Sequence, residues 1–222
     1  MSEGRMAKWM TSAAIVVAMT ACGGKGKGPA TGVMNSGPTT LPVPAPHYAA
    51  LFKAGAIWTY DLKSTATGGD GPDDKTETTG TATCKVASVG AFEGGVTSTI
   101  TCDPPTVESG GDPLAGAWAA DATGLYKLEG DAATATPDLT KARLVIAAAP
   151  VEGTKNKETG QDPVESESWT ITHAGDTWCA SYTMAAGDEA FEKLCFAAAG
   201  VVSGSGGWAG GSVHETVFTL KQ

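Results

Sequence analysis

Basic residues are scarce in this chain. Only 15 Lys and Arg stand against 24 Asp and Glu among 222 residues, a formal charge of −9. Such a balance repels phosphate backbones, so nucleic acid is excluded as a partner, and anionic head groups would not hold the surface by charge. Histidine is scarcer still: His47, His173 and His214 are all there is. Nucleophilic catalysis needs a base, and no surrounding motif supplies its setting. There is no HExxH, no phosphate-binding glycine loop opening a helix and no dinucleotide fingerprint. Ser203-Gly204-Ser205-Gly206 misses the spacing of a nucleophile elbow and is taken as part of a glycine-rich turn from Gly204 to Gly211. Glu165 and Glu167 have the residue type for glycoside cleavage, but in so polar a stretch they are expected to be solvated. The expectation is a protein that is not an enzyme, with no cofactor and no metal.

Long apolar runs are also missing. The longest, Met10 to Met19, has about ten residues, half of the ~20 needed to cross a bilayer. Leu, Ile, Val and Phe number 10, 5, 15 and 5, so the core is lean, and alanine inflates the 41% hydrophobic fraction. A composition this thin borders on disorder. Against that, only 18% of residues are charged and aromatics recur within alternating segments.

What the chain does have begins at its start. Arg5 and Lys8 form a basic n-region, with Met1 or Met6 as the initiator, and the ten-residue apolar run follows. Met19-Thr20-Ala21-Cys22 then resembles the lipobox of bacterial lipoproteins, with Met19 in place of the commoner Leu. The resemblance implies that residues 1–21 are removed and that Cys22 receives the lipid that anchors the chain. At about 0.8 kcal/mol per buried CH₂, two or three acyl chains hold a protein durably. Gly23 is not the Asp that retains such proteins at the inner membrane, so the expected location is the outer membrane. From Cys22 to Pro46 the sequence is rich in Gly, Thr and Pro and is assigned as a flexible tether. Residues 47–222 remain to fold, and a domain of that length buries about 70% of its unfolded surface.

Within that domain, His47 to Ala54 suggests one short helical turn, and Ala56 to Leu62 alternates as a half-buried strand. Ser64 to Thr78 is assigned as an acidic loop; its Gly68 to Asp73 resembles one calcium-binding nonapeptide with no second copy to stack on. Two hairpins follow from cysteine placement. Cys84 and Cys102 fall opposite one another about Glu93, with Val86 facing Ile100, Ser88 facing Ser98 and Val89 facing Thr97. Cys179 and Cys195 fall opposite about Gly187, with Trp178 facing Phe196 and Ala180 facing Leu194. Opposed residues at a non-hydrogen-bonded position lie within disulfide reach. The expected bridges are therefore Cys84–Cys102, toward the core, and Cys179–Cys195, toward solvent. Four cysteines allow three connectivities, and a zinc site is the alternative, although no CxxC is present. Pairing all four leaves Cys22 as the odd one, which lipid attachment would explain.

Ala117–Ala119 with Gly124–Leu128, and Val213–Leu220, are further strands; Arg143–Ala149 is read as a buried strand with helix left open by its alanines, while 151–165 is taken as loop. Leu51-Phe52-Lys53-Ala54-Gly55-Ala56-Ile57-Trp58-Thr59-Tyr60 and Cys195-Phe196-Ala197-Ala198-Ala199-Gly200-Val201-Val202 resemble two segments of a loose group of exported bacterial lipoproteins. That resemblance implies an antiparallel β domain and brings no catalytic residues with it. The expected fold is one mainly antiparallel β domain of about ten strands, a sandwich or an open, curved half-barrel. The expected function is a non-enzymatic binding or structural module. The alternative is an acyl-chain carrier whose cavity would be lined by Trp58, Trp118 and Trp178, residues otherwise destined for the core.

Overall fold

The computed structural model describes residues 43–68, 74–107, 111–129, 136–158 and 165–221. The signal, the lipobox with Cys22, most of the tether and the centre of the calcium-like loop lie outside the described residues. A 3-10 helix, Ala49–Phe52, leads into twelve strands. In chain order these are β1 (Ile57–Thr67), β2 (Lys75–Phe92), β3 (Gly95–Asp103), β4 (Gly116–Asp121), β5 (Gly124–Leu128) and β6 (Arg143–Ala147). There follow β7 (Gly153–Glu158), β8 (Ser166–Ala174), β9 (Thr177–Ala186), β10 (Asp188–Ala197), β11 (Gly200–Ala209) and β12 (Val213–Leu220).

All twelve belong to one antiparallel sheet ordered β6-β5-β4-β3-β2-β1-β12-β11-β10-β9-β8-β7. Two six-stranded meanders are joined through their first and last strands: β1 pairs β12 from Tyr60↔Leu220 to Thr67↔Val213. The outermost strands, β6 and β7, are neighbours in sequence with five residues between them. The sheet therefore curls until its edges face each other, which places it with the open, curved alternative and not the sandwich.

Inward alternation fills the curl. Trp58, Tyr60, Ala82, Cys84, Val86, Ile100, Trp118, Leu125, Leu194, Phe196 and Phe218 are buried on one side of successive strands, and the 3-10 helix adds Leu51. Tyr48 and Ala45 join this core, so packing begins two residues inside the segment assigned as tether. The β1 aromatics also reach across β12. The Trp58 Nε1–H donates to the Ala199 carbonyl at 2.9 Å, and the Tyr60 hydroxyl to the Val201 carbonyl at 2.9 Å. The two stretches that resemble exported lipoproteins thus meet in the core.

Several expectations are corrected. Ser64–Thr67 and Lys75–Thr78 are strand, because β-branched threonine suits the paired ends of β1 and β2. Residues 153–158 form β7; all six are exposed, so this edge strand has no apolar alternation to betray it. Gly204–Ala209 belong to β11 and do not form a turn. A Cβ on Gly204 would collide with the Phe218 ring and the Lys193 carbonyl, and one on Gly207 with the His214 carbonyl. Glycine is there to let neighbouring chains approach.

The first hairpin keeps Cys84↔Cys102 and Val86↔Ile100, but Ser88 pairs with Thr99 and Val89 with Ser98. The turn has two residues, Glu93-Gly94, with Gly94 at φ 85°, so it is one residue shorter than symmetry about Glu93 requires. A bulge at Ala87 absorbs the difference. The second hairpin holds its expected register throughout. Both disulfides form, at 4.0 Å between Cα atoms. Cys195, however, is buried (5% exposed) where a solvent-facing bridge was expected. It lies outside the main core cluster, flanked on either side of its bridge by Thr172 of β8 and Ser203 of β11.

Candidate functional site

β6 ends the sheet on one side and β7 on the other, and a cavity of about 740 Å³ occupies the seam between them. Its walls are the β6 residues Arg143–Ala147, the connection through Pro150 and Val151, the start of β7, and a floor of Trp169 and Ile171 on β8. The lining is mainly apolar. Leu144 and Val151, 42% and 81% exposed, stand at the opening. The connection is anchored by Glu152, whose carboxylate accepts the His173 backbone N–H at 2.8 Å.

A polar cluster closes off the β8–β10 side. Arg143 forms an ion pair with Glu192 and lies 3.7 Å from Glu129. Its guanidinium sits 4.8 Å over the Tyr182 ring, and that ring lies 5.4 Å from Trp169. The Tyr182 hydroxyl donates to Glu167 at 2.9 Å, while the other Glu167 oxygen is 3.6 Å from Lys157. Burial, with the Glu167 carboxylate as its accomplice, pushes the Tyr182 hydroxyl up to about 12; the Arg143 charge opposes the shift. Among the described residues, every charged group of this cluster has an oppositely charged partner. Glu165 precedes β8 and is exposed, and Glu167 is committed to Tyr182 and Lys157, so the two do not act as a carboxylate pair.

Next to Arg143 in register is Lys127 of β5, 7% exposed. Its ammonium donates to the carbonyls of Asp112 (3.2 Å), Pro113 (3.0 Å) and Ala115, and lies 4.5 Å over the Trp118 ring. The loop offering those carbonyls is shaped by Asp112, whose carboxylate accepts hydrogen bonds from Thr106, Leu114 and Ala115. Burial pushes the Lys127 ammonium down to about 8, against the attraction of Glu192 and Asp112. Behind β6, burial also lowers the His47 pKa below its ordinary value, although a hydrogen bond with the Ala147 backbone works the other way.

Trp58 and Trp118 are core residues, at 7% and 0% exposure, and Trp178 packs against the same core. None of the three lines the cavity. His173 stacks on Trp178 at 4.1 Å and His214 on Trp208 at 4.7 Å, and neither lines the cavity. Among the described residues no three His, Cys, Asp or Glu side chains converge as a metal would require. Leu144 and Val151 escaped sequence reasoning. The one signal was Val151, a lone large apolar residue beside Pro150 at the head of a polar stretch.

No family model matches the chain, and no curated protein matches it in sequence. Among solved structures it is similar to a Bacteroides fragilis protein described as exported and as having a YmcC-like fold. The identity is 10% and the TM-score 0.27, over 77% of this chain and 97% of that one.

Proposed function

We propose that this chain is an exported, lipid-anchored envelope protein whose β domain binds and does not catalyse, with the seam cavity as its binding site. The observation behind the binding role is the cavity itself: an apolar space of about 740 Å³, within the range of small-ligand sites. The Arg143–Glu192 and Tyr182–Glu167 pairs beside it are spent on each other, a poor arrangement for acid–base work and a good one for a stable wall. The anchor is supported by the lipobox and by cysteine arithmetic. With Cys84–Cys102 and Cys179–Cys195 bridged, Cys22 remains the odd thiol. Outer-membrane residence follows from Gly23. Carriage of an acyl chain is the second reading, favoured by the apolar lining and the exposed Leu144 and Val151 at the mouth.

Two measurements test this. Mass spectrometry of the mature N-terminus should find Cys22 diacylated, and an unmodified Cys22 would sink the anchor. The dye 1-anilinonaphthalene-8-sulfonate should fluoresce with the wild-type domain and far less with Leu144→Asp or Val151→Asp. Both substitutions are at exposed sites and should leave the fold intact. Equal fluorescence in all three proteins removes the cavity as the binding site.

A further inference from the structure

β6 and β7 are joined by five residues, the length of an ordinary hairpin connection, and the meander runs them antiparallel. Strands so joined normally pair about 4.8 Å apart. These two do not pair, and their Cα atoms stay more than 8 Å apart along most of both strands. The parting exceeds one strand spacing, and a single inserted strand needs about 9.6 Å. Each edge leaves its outward N–H and C=O groups without a strand partner among the described residues. Such edges template further pairing. An acyl chain in the slot would leave those groups bare, whereas a polypeptide would satisfy them on both sides.

Charge narrows the occupant. Arg143 is tied to Glu192 and Lys157 to Glu167, and Glu152 accepts the His173 N–H. Lys155, on the cavity wall, has no ion-pair partner among the described residues. Glu152, on the same wall, also keeps its charge, because a backbone N–H does not neutralise a carboxylate, so the two offset one another and the slot favours an uncharged occupant.

We infer that the seam is a strand-addition site: it takes an extended, apolar, uncharged segment of another polypeptide, which pairs with β6 and β7 together and completes the ring of strands. The five residues of β6 set the paired length at about 17 Å. This mode draws affinity from main-chain hydrogen bonds and specificity from alternate side chains. It rests on the seam cavity being the binding site.

The test uses the full mature domain and synthetic eight-residue peptides of alternating Val and Thr, starting on either residue. Each peptide has a twin N-methylated at every second residue, equally apolar but short of donors. Oleate is the lipid probe. The better peptide should slow hydrogen exchange across Arg143–Ala147 and Gly153–Glu158, and its twin should bind at least tenfold more weakly. Equal binding of twins, or oleate protecting both strands as well as any peptide, overturns strand addition in favour of an apolar small molecule. If no peptide protects either strand while the naphthalene dye still enters, this inference fails alone. If the dye fails too, the binding reading of the cavity falls with it.

Discussion

In urea titrations from about pH 7.5 to about pH 9.5, the wild-type domain should gain stability, and Lys127→Met should gain much less. Lys127 is almost wholly buried, and burial lowers its ammonium from an ordinary 10.5 to about 8. Below about pH 8 the folded and unfolded chains both hold the proton, so the group contributes no slope. Between about 8 and 10.5 the folded chain has shed it and the unfolded chain has not. Unfolding then takes up a proton, and stability rises with pH by about 1.4 kcal/mol per unit. The full gap corresponds to about 3 kcal/mol, of which about 2 should be visible by pH 9.5. Tyr48, Tyr60 and Tyr182 set the upper limit of the window. Burial raises all three, so near pH 10 they ionise in the unfolded chain first and stability falls again. Methionine keeps much of the contact with Trp118 and removes the titrating group. Groups common to both proteins cancel in the comparison, and an unchanged urea slope would confirm that the unfolded states match. Parallel pH profiles for the two proteins would refute the account of Lys127 as a buried charge held by the loop carbonyls.

Gly204→Ala should cost about 2–3 kcal/mol in urea, because its Cβ meets the Phe218 ring and a neighbouring carbonyl, while Gly80→Ala, with open space around it, should change stability by less than about 0.5. Replacing both Cys84 and Cys102 by Ala should cost about 3 kcal/mol from lost loop constraint, and more than the same change at Cys179 and Cys195, since Cys84 is fully buried in the core cluster. Calorimetric melting of the two double variants would show the order. Tyr60→Phe should cost about 1–2 kcal/mol by stranding the buried Val201 carbonyl, with little change in near-ultraviolet circular dichroism.

Legibility in the sequence followed side-chain burial. Where one face is buried and the other wet, as along Trp58–Leu62 or Val213–Leu220, alternation marks the strand and even its orientation. Cys179–Cys195 fixes its hairpin correctly because an unbroken pairing runs from the turn to the bridge. The Cys84–Cys102 hairpin is legible at its cysteine end only, since a bulge at Ala87 is set by the geometry of a distant two-residue turn. β11 was hidden because its glycines answer to Phe218 and His214 on β12, residues that sequence proximity does not connect to them. β7 was hidden because an edge strand can be held by backbone hydrogen bonds to β8 alone. The seam cavity was the least legible feature. Its lining is ordinary Ala, Val, Leu and Ile, and only the strand order makes two edges of consecutive strands face each other.

The pairing of β1 with β12 has a kinetic consequence. Within each meander every strand pairs with its sequence neighbour, so β1–β6 and β7–β12 can each assemble from local contacts. The join between them is the most non-local pairing in the sheet, and such contacts form slowly because a long loop must close first. Until β12 has emerged from the ribosome, Trp58 and Tyr60 have no complete neighbourhood to enter. A nascent chain therefore stays without its central strand pair until β12 has been made, however far the two meanders have assembled.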